Sequence, residues 1–188
     1  MATLIGFAKK FEKELRQTVS KTFMMEIGKA ITDLIYRRVK AGYGVANFNQ
    51  PSTRVPLKPL SPTYVDYRKG LIKFEKRKGK LVPIFPKKGE KFPSPVTGEF
   101  GKPGKSNLTL TGQMLKAISY TASYGAVKVF IADTQREDTA KAGITNADIA
   151  QKVQDDGRPF FYLTDTEVRT IQTKVFNKVR DNLRKAFF

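Results

Sequence analysis

The chain offers few side chains that could do chemistry. Its 188 residues include no histidine and no cysteine. Without histidine, the usual general base near neutral pH and the commonest metal ligand are both missing. Without cysteine, thiolate catalysis, zinc ribbons and disulfides are excluded. Ser-His-Asp and histidine–metal mechanisms are therefore ruled out. Carboxylates remain. Asp155-Asp156 could face a divalent ion, but they lack the further oxygen ligands at regular spacing that a calcium loop needs. They read better as the solvated end of a helix. Asp133, Glu137 and Asp138 read as a polar loop. The stretch Gly98-Glu-Phe-Gly101-Lys-Pro-Gly104-Lys105 has the glycines of a phosphate loop, but it lacks the strand before it, its Gly-Lys-Ser ending is out of register, and Pro103 removes a backbone N–H. No catalytic residue, no metal site and no cofactor is expected.

Charge is the stronger signal. Thirty-five Lys and Arg stand against 17 Asp and Glu, for a net +18. Such a balance speaks of partners rather than fold. Between Arg68 and Lys105, twelve basic residues face only Glu75, Glu90 and Glu99. Lys73, Lys76, Arg77, Lys78, Lys80, Lys87, Lys88 and Lys91 are the candidate partner-facing cations of this segment. Phe74, Phe85, Phe92 and Phe100 are interleaved with them. Two readings stand: contact with nucleic-acid phosphates, or packing against acidic protein subunits. No apolar run approaches the ~20 residues of a membrane span, and the first residues are too weakly apolar for a signal segment. A soluble protein without membrane partners is expected.

The elements that must carry these residues are legible in part. Phe7, Phe11, Leu15, Val19, Phe23, Ile27, Ile31 and Ile35 recur at helical steps, which predicts one long helix from about residue 4 to 40, stopped by Gly42 and Gly44. Its stripe either overhangs a small core or is completed by a neighbouring subunit. Nine of ten prolines then fall between Pro51 and Pro103. Within that stretch Ser61 and Pro62 mark a short helix start. The order Leu-Ile-Lys-Phe, Arg-Lys-Gly-Lys, Leu-Val-Pro-Ile-Phe predicts a hairpin with Lys78-Gly79 at its tip, followed beyond Pro86 by an extended loop. Thr109 or Thr111 should cap a short helix carrying Met114, Leu115 and Ile118. Two strands around Tyr124-Gly125 follow. Asn146 is the expected cap of the next helix, closed by Gly157. Thr164-Asp-Thr-Glu167 is a capping box for a last helix with a stripe of Val168, Ile171, Val175, Val179 and Leu183. Phe187 and Phe188 end the chain, either folded back on the core or offered to a partner.

Three segments carry a family resemblance. Leu57-Lys-Pro-Leu-Ser-Pro-Thr-Tyr64, Leu108-Thr-Leu-Thr-Gly-Gln-Met-Leu115 and Arg158-Pro-Phe-Phe161 occur in that order. The set resembles the neck and tail-completion (virion morphogenesis, head-tail joining) proteins of tailed bacteriophages. The chain departs from the family's pattern at Val153-Gln154, where a histidine-glutamine pair is common, and at Phe161, where leucine is usual. The resemblance implies an α+β fold: a small antiparallel sheet against a long N-terminal helix and a C-terminal helix, in a single domain 1–188 with a basic Pro/Gly-rich insertion at about 68–107. It also implies a structural, non-enzymatic subunit of a homo-oligomeric ring, commonly hexameric. Such a ring sits at the head-tail junction of the virion, between portal or adaptor and tail tube or terminator proteins, after assembly in the host cytoplasm. Genomic DNA passes through it, so the basic loop could make non-specific contact there. Arg158, Phe160, Phe187 and Phe188 are then candidate subunit contacts. The competing reading is a stand-alone basic nucleic-acid-binding module.

Overall fold

The computed structural model describes residues 4–47, 52–94, 113–135 and 143–187. Phe7's side chain, the 98–105 loop, Thr109, Thr111, Gly112, Glu137, Asp138 and Phe188 lie outside the described residues. The architecture is α+β: six helices and three two-stranded antiparallel sheets among the described residues.

The long first helix is broken. The chain forms α1 (Leu4–Thr18) and α2 (Lys21–Lys40). Ser20 interrupts them with an extended backbone, ψ 157°, and its hydroxyl accepts from the Phe23 N–H to cap α2. The carbonyl of Val19 is taken instead by the N–H of Gly125, 3.0 Å away. The expected continuous rod fails because a serine that looks like a helix interior residue can also end one helix and start the next.

α2 is the spine of the molecule. Its first half sets Phe23, Met24 and Ile27 into a cluster with Val19, Ala122, Val127, Ile171 and Val175. Its second half sets Ile35 and Val39 into a second cluster with Leu57, Met114, Leu115, Ala150 and Phe160. Side chains of this size stabilise by about 1.5–3 kcal/mol each when fully buried. The hairpin of β5 (Ile118–Ser123) and β6 (Ala126–Ile131) packs on α2, with Ile118 paired to Ile131. Ile118 therefore belongs to this strand and not to the preceding helix α4 (Gln113–Lys116).

After α2, Gly42 adopts φ +89° and turns the chain into β1 (Tyr43–Val45), which pairs with β2 (Arg54–Pro56). Next come α3 (Pro62–Arg68), capped by Ser61 as expected, and the hairpin β3 (Lys73–Arg77) and β4 (Lys80–Ile84). Lys78 and Gly79, at φ 48° and 80°, form its two-residue turn.

α5 (Asn146–Asp155) is capped by Thr145, not Asn146: Thr145 and Asp148 exchange both capping-box hydrogen bonds. Asn146 is instead buried in the first turn, where its amide donates to Thr134 Oγ1. Gly157, φ +76°, ends α5 in a Schellman motif: the Arg158 N–H reaches Val153 O and the Gly157 N–H reaches Gln154 O. The last helix, α6 (Asp165–Phe187), starts at the predicted box, with Thr164 N–H donating to Glu167 Oε2 and Glu167 N–H to Thr164 Oγ1.

Candidate functional site

The basic segment folds into an arm with a fastened root. Arg68 and Ile72 are buried at its base. The Phe92 N–H donates to Gly70 O and the Ser94 hydroxyl to Arg68 O, so residues 87–94 return to the root; the rest of the expected loop lies outside the described residues. Gly70 must be glycine there, because a Cβ would stand 2.1 Å from Phe92 O and φ is +71°. Tyr67 packs its ring 5.4 Å from that of Phe74, and Lys73 lies 5.4 Å above the ring of Phe92.

The described residues of the arm carry far more positive than negative charge. Between residues 68 and 94 ten basic side chains face Glu75 and Glu90. Glu75 pairs with Lys73 at 2.9 Å and with Arg77 at 3.6 Å. The hydrogen bond from Lys73, helped by the charge of Arg77, holds the Glu75 carboxyl below its ordinary pKa. Lys76, Lys78, Lys80, Lys87, Lys88 and Lys91 are exposed. The strand register places Phe74, Lys76, Leu81 and Pro83 on one face of the hairpin. Leu81 is 70% exposed, and Phe85, directly after β4, is 72% exposed.

The four candidate subunit contacts separate. Phe160 is 0% exposed, in the second core cluster, and has no surface left for a neighbour. Arg158 is satisfied within its own chain: Nε donates to Lys58 O at 3.3 Å, Nη2 to Pro59 O at 3.2 Å, and Nη1 lies 3.9 Å from Asp156. It clamps residues 58–59 of its own chain. Phe187 is half-buried against α1, with Lys10 Nζ 4.8 Å from its ring centroid. Phe188 lies outside the described residues.

A site that sequence reasoning missed lies at Arg38. This side chain, near the C-terminus of α2, is 5% exposed. Its Nη1 bonds Glu167, and its Nη2 donates to Phe160 O at 2.7 Å and Tyr162 O at 2.5 Å. Burial lowers its pKa, the Glu167 charge opposes that, and Arg54 adds to the lowering. One guanidinium thus fastens α2, the 158–163 corner and the cap of α6. Nothing local marks Arg38 off from Arg37 beside it. Its one sequence signal is position: it falls one helical turn after Leu34 and Ile35, on the apolar side.

Among the described residues no group of three or more Asp and Glu side chains could hold a metal ion, and no helix is long and apolar enough to cross a membrane. No family model, curated protein or solved structure matches the chain.

Proposed function

We propose that this chain is a structural subunit of a tailed-phage particle: a neck, tail-completion or head-tail joining protein. It works as a homo-oligomeric ring, sixfold in this reading, between the portal or adaptor and the tail tube, and it performs no catalytic step. One observation supports the reading most. The three segments that carry the resemblance lie far apart in the chain, yet described residues of each meet in space. Leu57, Met114, Leu115 and Phe160 share one core cluster, and Arg158 clamps the carbonyls of Lys58 and Pro59. The resembling residues are thus the ones that build the architecture, as expected of a family related by fold and assembly. A second feature agrees with an assembled subunit. The 23-residue α6 has no fully buried residue, and Phe176 on it is 65% exposed.

The test is reconstitution. Filled heads and finished tails from a phage lacking this gene should stay apart, and should join when purified protein is added. Normal joining without the protein removes the neck reading. The exposed lysines of the arm favour the second reading, a free nucleic-acid-binding module. That reading requires the isolated chain to bind duplex DNA with an affinity that falls steeply with salt.

A further inference from the structure

The β3–β4 arm combines two surface properties that a phosphate-binding loop does not need together. It is strongly basic, with ten cationic side chains against two acidic ones between residues 68 and 94. It also holds Leu81 and Phe85 at 70% and 72% exposure. Lysines alone suffice for a DNA duplex, whose accessible surface is mainly phosphate and sugar. A single strand is gripped by stacking on successive rings, yet among the described residues of the arm Phe85 is the one exposed ring: Leu81 has none, and Phe74 and Phe92 are engaged by Tyr67 and Lys73. The arm of a second copy carries the same excess of cations, so arm-to-arm pairing is repelled.

Strand addition along β4 is also blocked. A two-residue turn closes on a hydrogen-bonded pair, here Arg77 with Lys80. Two steps further apart, Glu75–Val82 is bonded and Phe74–Pro83 is not, so position 83 directs its backbone nitrogen outward, and proline has no N–H to offer. A partner on the β4 edge must therefore engage side chains.

We propose that the β3–β4 arm is a docking finger for an acidic protein segment that carries apolar side chains. Leu81 and Phe85 seat its apolar groups, and Lys76, Lys78, Lys80, Lys87 and Lys88 pair with its carboxylates. The two apolar anchors lie four residues apart, about 13 Å along an extended chain.

The test uses the full chain and four probes: a synthetic peptide with leucines set among glutamates, polyglutamate of equal charge, a DNA duplex, and oligo(dT). Affinity is read by fluorescence anisotropy for the natural chain and for L81S/F85S, whose fold is checked by circular dichroism. Both side chains are exposed, so the variant should fold. The expected result is a roughly tenfold loss for the leucine-containing peptide, with polyglutamate and duplex unchanged. Equal peptide affinity in both proteins overturns the proposal. So does a loss confined to oligo(dT), which would assign the arm to single-stranded nucleic acid. The inference does not rest on the ring reading, since head-tail joining is measured separately and either result can fail alone.

Discussion

Gly28 of α2 and the ring of Tyr120 in β5 meet at a distance that leaves no room for a side chain: a Cβ at position 28 would stand 2.3 Å from Tyr120 Cδ2. Helix and hairpin owe their close approach to this glycine. In a helix interior alanine is favoured over glycine by about 1 kcal/mol. Here the overlap with the ring should outweigh that gain, at a cost of about 1–3 kcal/mol. G28A should therefore lower the urea midpoint, and Y120L in the same chain should recover most of the loss. A raised midpoint for G28A would mean the ring moves aside freely.

Arg38 and Glu167 form a pair with side chains only 3% and 12% exposed. Removing one partner from such a pair strands the other, at about 3–5 kcal/mol. R38M also leaves Phe160 O and Tyr162 O without their donor. A double-mutant cycle should show R38M and E167Q each strongly destabilising, and the double variant well short of their sum. Additive losses would show that the two side chains act independently.

Arg158 spans two carbonyls of the 57–61 strap. Lysine cannot reproduce this planar fork. R158K and R158A should both lose about 1–2 kcal/mol, and limited proteolysis should cut sooner near Lys58. If R158K retains full stability, charge alone holds the strap.

Lys78 occupies the left-handed region at the first turn position of the β3–β4 hairpin. Asparagine accepts that conformation far better, and Asn-Gly is the preferred pair for this turn. K78N should stabilise the chain by up to about 1 kcal/mol. In contrast, the quadruple change K76S/R77S/K78S/K80S should leave the melting temperature nearly unchanged, because all four side chains are exposed. A large drop in melting temperature would show that the lysine stems cover part of the core.

Local signals were the legible ones. Ser61-Pro62, Lys78-Gly79 and the Thr164–Glu167 box each complete their geometry within four residues, so residue types alone predict them. The break at Val19-Ser20 was hidden because Leu15, Val19 and Phe23 keep a four-residue step straight through it. What exposes the break is Gly125, more than a hundred residues away, which donates to Val19 O. Thr145 and Asn146 are both good cap residues, and only the buried bond from Asn146 to Thr134 decides between them. Phe160 and Arg158 stood out as motif residues, but a motif does not say whether a side chain faces a neighbour or its own core. The candidate arm was legible in charge and in outline. Its exposed Leu81 was not, since an apolar residue in a strand usually signals burial.

The partners of Arg38 lie 122, 124 and 129 residues further along the chain. A ribosome adding roughly 5–20 residues per second needs several seconds or more to deliver them. Over that interval α2 emerges with Ile35, Val39 and an arginine destined for burial, and none of them has a place to go. The second core cluster cannot close until the 158–163 corner has been synthesised. Truncated chains ending before Phe160 should therefore be captured by chaperones or aggregate.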